Sequence, residues 1–381
     1  MSKGGHFLAQ QPKKKTKTWV VVVAVLLAVI LLLGALAAWF VVSKMNKINR
    51  ADRGDNQLSA EDIGKYMIEG TTAPTEATTV PTTEATTAPT EETKPDYGKL
   101  GKIVNFLLIG QDARPGEDSK NSDTVLLVSV NKETKKITMI SFLRDSFVVI
   151  PKVYDTYGNE HSGQTKLTLA YAMGYKWGGD LGAMEIMDQV VERNFGAVVD
   201  YNVEINLDAF DAIINAVGYI TADLDEDEAA YMNEKFKDYP DRNFKVGENR
   251  LDGWAAEEYA RMRHSSNADN DYKRTARQRT VVSQVLERVK GMNVVQINAL
   301  VDELLDKVLT DMTNSDITTC ITELLPLLPE MTMDSLQCPN ADMDLSGKLI
   351  DLFKDGSPEQ SIQTFTESKA KAIITAITED D

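Results

Sequence analysis

Ile103-Val-Asn-Phe-Leu-Leu-Ile109-Gly110, Val125-Leu-Leu-Val-Ser-Val130 and Ile137-Thr-Met-Ile-Ser-Phe142 decide the fold. Each is a short, nearly continuous apolar run, the pattern of a strand buried on both faces. Gly110 stops the first run, and the polar stretch 131–136 reads as a hairpin turn between the second and third. Helical spacing takes over from residue 167. Residues 167–173 open a helical stretch, and 181–195 carry Met184, Met187, Val190 and Val191 three and four residues apart. Residues 200–205 read as a further strand. Residues 207–217 place Phe210, Ile213, Ile214 and Val217 on one helical face, with Gly218 set to end it. The stretch 255–262 fits helix or strand equally. Residues 273–289 are helical, with a stripe of Val281, Val282, Val285, Leu286 and Val289. This order of strands and helices predicts an α/β class, a three-layer α/β/α domain around a central, mostly buried sheet.

Upstream of that domain the composition changes twice. Residues 19–42 form a run of 24 without a charge, almost all Val, Leu, Ile and Ala, with Trp19, Trp39 and Phe40 near its ends. At about 1.5 Å per residue such a helix crosses a hydrocarbon core of roughly 30 Å. The run is too long for a signal peptide, and no small-residue cleavage pattern follows it. A transmembrane helix at 19–42 is therefore expected, after a basic tail at 1–18. Residues 43–98 include a Thr/Pro/Glu tract repeating Thr-Thr-Ala-Pro-Thr-Glu with variations, too poor in apolar surface to offset the entropy of ordering. It reads as a disordered extracellular stalk, which orients the tail to the cytoplasm and the domain outside; a cytoplasmic linker is the alternative. The domain itself is placed at 99–292. An acidic, helical C-terminal extension at 293–381 is expected to pack over it. Cys320 and Cys338 could pair or stay free.

The chemistry concentrates in four places. Gly110-Gln-Asp112-Ala-Arg114-Pro-Gly116 follows the first strand, and Asn121-Ser-Asp123-Thr124 opens the second. If those strands pair, Asp112 and Asp123 come to one edge of the sheet, where two carboxylates with phosphate oxygens and water suit Mg²⁺. As isolated aspartates, both also fit turn residues bonding their own backbone. Leu143-Arg144-Asp145-Ser146 follows the third strand; alone, an Arg–Asp pair is most often a local salt bridge. Lys166 precedes Leu-Thr-Leu-Ala-Tyr171. The fourth place is 259–279, where Arg261, Arg263, Arg274, Arg277 and Arg279 gather with Lys273 and Gln278 in a chain of net charge −17. Arginine's planar fork matches phosphate and carboxylate in two-point contact, so the cluster reads as an anion site. Arg261 and Arg263 share a face if extended, Arg274 and Gln278 share a helical face, and Asp271 is placed to cap that helix. The alternative is a basic surface helix, with Arg279 and Arg288 solvated. Nucleic acid is a poor partner for the cluster, given the acidic remainder and the extracellular placement expected of the domain. No Ser-His-Asp set is present, since His161 and His264 are the only histidines past the apolar span.

In order and wording these segments resemble the LytR-CpsA-Psr family of cell-envelope proteins. The matching pieces are Asn105-Phe-Leu-Leu-Ile-Gly-Gln-Asp112-Ala-Arg114, Asn121-Ser-Asp123-Thr124, Ser141-Phe-Leu-Arg144-Asp145-Ser146, Lys166-Leu-Thr-Leu-Ala-Tyr171, Tyr259-Ala-Arg-Met-Arg263 and residues 274–279. The resemblance implies a domain that binds a polyprenyl pyrophosphate and transfers its glycopolymer, teichoic acid or capsular polysaccharide, to peptidoglycan. It also implies a single-pass protein of the cell membrane in a Gram-positive-type bacterium. Carried over by position, Asp112 and Asp123 would bind Mg²⁺ (or Mn²⁺), and Arg114, Arg144, Lys166, Arg261, Arg263, Arg274 and Gln278 would hold the pyrophosphate. Of these, Arg144, Asp112, Asp123 and Arg261 would be catalytic. The prenyl tail would lie in an apolar tunnel between sheet and helices. Two departures stand out: Asn121 replaces the family's usual arginine, and Phe142-Leu143 replaces the commoner Ile-Pro. The expected reaction is attack of a peptidoglycan sugar hydroxyl, the C6 hydroxyl of N-acetylmuramic acid, on the phosphorus beside the glycan. A non-catalytic envelope receptor for the same lipids and a polyprenyl-pyrophosphate pyrophosphatase are the competing readings.

Overall fold

The three apolar runs become neighbouring strands. A computed structural model describes residues 49–50, 100–111, 120–154, 158, 160–262, 269–304, 307–353 and 358–379. The expected tail, the apolar span 19–42 and all of the 43–98 segment except 49–50 lie outside the described residues, as do Asp112, Arg114 and Arg263. Strand β1 is Asn49–Arg50, β2 Ile103–Gln111, β3 Ser122–Asn131 and β4 Lys136–Phe142. After the hairpin of β5 (Phe147–Tyr154) and β6 (Glu160–Lys166) comes helix α1 (Leu167–Phe195). Then follow β7 (Tyr201–Ile205), α2 (Leu207–Val217), β8 (Ile220–Leu224), α3 (Glu226–Lys235), β9 (Gly247–Leu251), α4 (Gly253–Arg261) and α5 (Asp269–Lys290). The C-terminal part holds α6 (Val294–Leu304), β10 (Val308–Thr310), α7 (Asn314–Leu324), β11 (Thr332–Cys338), the β12–β13 hairpin (Ser346–Ile350, Gln360–Thr364) and α8 (Glu367–Thr378).

The main sheet is seven-stranded, in the order β1-β10-β7-β2-β3-β4-β11. Strands β2, β3 and β4 are antiparallel neighbours, while β7 joins β2 and β11 joins β4 in parallel. Alternate side chains point to opposite faces, as strand geometry requires. Leu107, Ile109, Val125, Leu127, Ile140 and Phe142 pack beneath α1, the β5–β6 hairpin and Ile374 of α8. Leu126, Val128, Val130, Ile137 and Met139 meet Val282 and Leu286 of α5 and Leu324 of α7 on the other face. The runs are apolar throughout because both faces are covered, so the predicted mixed α/β fold with a central buried sheet holds. A satellite core forms beside it from α2, the β8–β9 hairpin, α3 and α4.

The stripe along α5 serves both cores. Val281 and Val285 enter the satellite core, whereas Val282 and Leu286 face the sheet. A helix sharing its apolar residues between two cores is fixed in rotation, which sets the direction of its polar residues as well. Helix α1 is broken at Gly178 and Gly179, the latter at φ 65°, and so reproduces the two helical stretches expected there. Its halves pack at Gly174, where a Cβ would lie 2.6 Å from the carbonyl oxygen of Gly182.

Residues 293–381 differ from the helical cover expected of them. They supply β10 and β11 to the main sheet, plus the β12–β13 hairpin, so the sheet is not complete at residue 292. Strand β10 has three residues, too few to show a period, and Val308 belongs to it rather than to a helix. Strand β11 is an edge strand whose polar residues mask its alternation. Both cysteines are free, with Cys338 buried against the sulfur of Met343 at 3.6 Å.

Helix α3 begins with a capping box. Asp225 accepts from the Glu228 amide at 2.8 Å, and the Glu228 carboxylate accepts from the Asp225 amide at 3.1 Å. The Glu228 amide holds the Asp225 pKa below the ordinary aspartate range. A lowered folded pKa gives stability that is present above about pH 4 and lost as pH falls through the folded value. Asp225→Ala is expected to cost about 1 kcal/mol at neutral pH. The difference from the native chain should shrink in acid, as read from urea unfolding at pH 7 and below pH 3.

Candidate functional site

Strand β3 carries one residue too many for its partner. Gly110 pairs with Thr124 and Gln111 with Ser122, so Asp123 falls at a shift in register. A bulge of this kind re-aims the extra side chain and bends the strand. Asp123 accepts a hydrogen bond from the Arg144 guanidinium, which comes from the turn after β4. Backbone hydrogen bonds to neighbouring elements hold that turn. Leu143 donates to Cys338 of β11 at 2.8 Å and Gln363 of β13 donates to Asp145 at 2.8 Å, while Thr168 and Leu167 at the start of α1 donate to Arg144 and Ser146, each at 2.9 Å. Lys166, buried at the end of β6, pairs with Asp145 at 3.1 Å. Lys166 thus neutralises the carboxylate beside Arg144 and is not on the wall of the cavity described next.

Between the α5 face of the sheet and helices α2, α4 and α5 lies a cavity of about 480 Å³. Its polar wall brings together Gln111, Asp123, Arg261, Arg274 and Gln278; its apolar wall includes Leu108, Leu126, Ile205, Phe210 and Val282. Arg274 and Gln278 reach it because they are one helical turn apart on α5. Arg274 is only 3 % exposed. Arg261 closes α4 and pairs with Glu257 of the preceding turn at 2.6 Å. Of the two alternatives left open for 255–262, the structure has helix through Arg261, with Ala255, Ala256 and Tyr259 buried and α2 packed against it, so the shared face that Arg261 and Arg263 would have if extended does not apply. Burial pushes the Tyr259 phenol up to about 12, which keeps it a protonated packing group.

The other cations of the cluster go elsewhere, and helical rotation is the reason. Lys273 and Arg277 face the start of α3, with Lys273 3.6 Å from Asp225. Arg277, 4 % exposed, donates to Glu228 at 2.7 Å and to the Met262 carbonyl at 2.9 Å. Arg279 is half-buried, and desolvation lowers its pKa. Arg288 stacks on the Tyr219 ring 3.7 Å from its centroid. Asp271 lies inside the first turn of α5, which already runs from Asp269, and so is not the cap expected. The cluster is thus several groups that α5 turns in different directions.

Sequence reading missed other members of the site. Glu257, Glu258, Tyr231 and Lys235 also line the cavity, contributed by elements it did not resolve. Tyr171, fully buried in α1, donates to Glu204 of β7, whose carboxylate lies 3.8 Å from Lys120. Burial raises the pKa of both the phenol and the Glu204 carboxyl. Only the partner strand discloses that pair.

The cavity's arginines and carboxylates gather on a mixed α/β sheet, and sequence comparison assigns the chain to a family. The LytR_cpsA_psr family model matches residues 69–367, and the chain belongs to that family. It is 31% identical over 220 residues to the polyisoprenyl-teichoic acid–peptidoglycan teichoic acid transferase TagU of Oceanobacillus iheyensis, covering 58% of this chain and 62% of that protein. It is 32% identical over 217 residues to biofilm regulatory protein A of Streptococcus mutans, covering 54% of this chain and 50% of that one. The chain thus spans about three fifths of the first relative and half of the second. A crystal structure of a Streptococcus agalactiae protein superposes with a TM-score of 0.56 at 26% identity, covering 72% of this chain and 86% of that one.

Proposed function

We propose that this chain is a membrane-anchored phosphotransferase that moves a glycopolymer from a polyprenyl-pyrophosphate carrier to peptidoglycan. One observation carries the reading: Arg261, Arg274 and the Arg144-paired Asp123 line one cavity together with an apolar stretch of Leu108, Leu126, Ile205, Phe210 and Val282. A phosphorylated prenyl lipid has that same division, a doubly charged head and a hydrocarbon tail. The name of the Oceanobacillus iheyensis relative supplies the reaction class.

In this reading Arg144, Arg261 and Arg274 bind phosphate oxygens, with Gln278 beside them and Arg114 and Arg263 as further cations around the head group, while Lys166 acts indirectly by neutralising Asp145 next to Arg144. Asp123 holds the Arg144 fork in position before the lipid arrives, so little reorganisation accompanies charge development. Leu108, Leu126, Phe210 and Val282 take the first prenyl units and exclude water from the phosphates. A sugar hydroxyl of peptidoglycan attacks the phosphorus next to the glycan, a new phosphodiester forms, and polyprenyl phosphate leaves. Mg²⁺ fits this donor set, because it is commonly held by one or two carboxylates together with substrate phosphates. Asp123 with Asp112 would hold it, and when bound it would neutralise charge on the transferring phosphoryl group. The span 19–42 would anchor the chain with its C-terminal domain outside the cell.

The full chain in detergent, incubated with lipid-linked glycopolymer, peptidoglycan fragments and Mg²⁺, tests the proposal. Glycan joined to peptidoglycan is the expected product. Binding without product would leave a receptor, and phosphate released without transfer would mark a pyrophosphatase.

A further inference from the structure

The cavity wall carries an ion pair that the phosphate site leaves out. Lys235, the last residue of α3, lies 3.2 Å from Glu258 of α4, and both line the cavity. Glu258 comes three residues before Arg261, so the two are neighbours on the surface of α4, with Cβ atoms about 5–6 Å apart. Tyr231, one turn before Lys235 on α3, also lines the cavity and packs partly against the satellite core. Side-chain exposure is 46 % for Lys235 and 13 % for Glu258, so the ammonium reaches solvent while the carboxylate is mostly enclosed. A partly exposed ion pair adds little to stability, and the fold has small need of these charges. Their contact runs from Nζ to one carboxylate oxygen, and both groups have capacity for further hydrogen bonds.

We infer that Tyr231, Lys235 and Glu258 form a subsite for the sugar adjoining the lipid's phosphate. The inference rests on the lipid-phosphate reading of the cavity. Three ligand parts compete for this stretch of wall, and the charges decide between them. A phosphate is disfavoured, because the enclosed member of the pair is the carboxylate and the arginine forks that match phosphate lie elsewhere. A prenyl chain is disfavoured too, since it would take both charges from water without replacing their hydrogen bonds. A pyranose suits all three side chains. Its hydroxyls can donate to Glu258 and accept from Lys235, and its C–H face can pack on the Tyr231 ring, whose body is apolar. The half-exposed Lys235 also marks a solvent side of the wall, where the rest of a long glycan can leave a cavity of only about 480 Å³.

The test compares two ligands on the full chain in detergent: polyprenyl diphosphate, and the same lipid bearing one monosaccharide. Glu258→Met and Lys235→Met, one on each helix, remove the hydrogen-bonding group and keep an unbranched side chain. Each should weaken binding of the sugar-bearing lipid about tenfold and leave the sugar-free lipid within about twofold. Melting curves of both variants should stay close to that of the native chain, since the pair is partly exposed. Equal loss of both lipids overturns the sugar assignment, and no loss of either overturns the contact. If the native chain binds neither lipid, the reading of the cavity itself fails, and this inference with it.

Discussion

Arg144→Ala should reduce glycan transfer by about 10²–10³-fold, the scale of removing one preorganised donor from a developing oxyanion. The loss is expected in turnover more than in apparent substrate affinity, because Arg261 and Arg274 still bind the lipid head. The fold should survive. Arg144 and Asp123 are both partly exposed, and breaking such a pair costs about 1 kcal/mol or less. The turn itself is held through backbone groups of Leu143, Arg144, Asp145 and Ser146, which the substitution leaves intact. Arg144→Lys should also fail to restore the rate, since an ammonium cannot reproduce the planar fork. Steady-state kinetics with a parallel melting curve check this. Unchanged turnover with an intact fold would remove Arg144 from the mechanism.

The largest stability effect is expected at Arg277, in the same cluster but with a different duty. Its guanidinium and the Glu228 carboxylate are both buried, and the arginine also satisfies the Met262 carbonyl at the end of α4. Arg277→Met strands the carboxylate, and removing one partner of a buried pair typically costs about 3–5 kcal/mol. Glu228 also completes the capping box of α3, so the damage should reach that helix. Adding Glu228→Leu should recover much of the loss, because apolar pairs often replace buried ion pairs at little cost. Urea unfolding of the two single variants and the double variant measures the coupling. A single-variant change below about 0.5 kcal/mol would mean that the pair is not buried in solution.

These two arginines show what was legible beforehand and what was not. Composition identifies the cluster and its preference for anions, but not the rotation of α5 that sends Arg274 and Gln278 to the cavity and Arg277 to Glu228. That rotation follows from Val281 and Val285 entering one core while Val282 and Leu286 enter another. The central strands were legible because burial on both faces leaves an unbroken apolar signal. The β5–β6 and β8–β9 hairpins were not, since their alternating polar residues face solvent and merge with loop composition. The edge strands β10 and β11 depend on neighbours about 100 and 200 residues away in the chain, β7 and β4, and no local pattern carries that. The pairing of β2 with β3 entered the sequence reading only as a condition, and the bulge at Asp123 belongs to register, which hydrophobic pattern specifies only to the nearest face.

The central claim is that the cavity between α5 and the sheet holds a phosphorylated prenyl lipid head-first against Arg261, Arg274 and the Asp123–Arg144 pair. A crystal structure of the chain with polyprenyl diphosphate tests it most directly. The account predicts the diphosphate between those guanidiniums and elongated density running along Leu108, Leu126, Phe210 and Val282. Lipid bound on another surface, or phosphates facing away from Arg261 and Arg274, would contradict it.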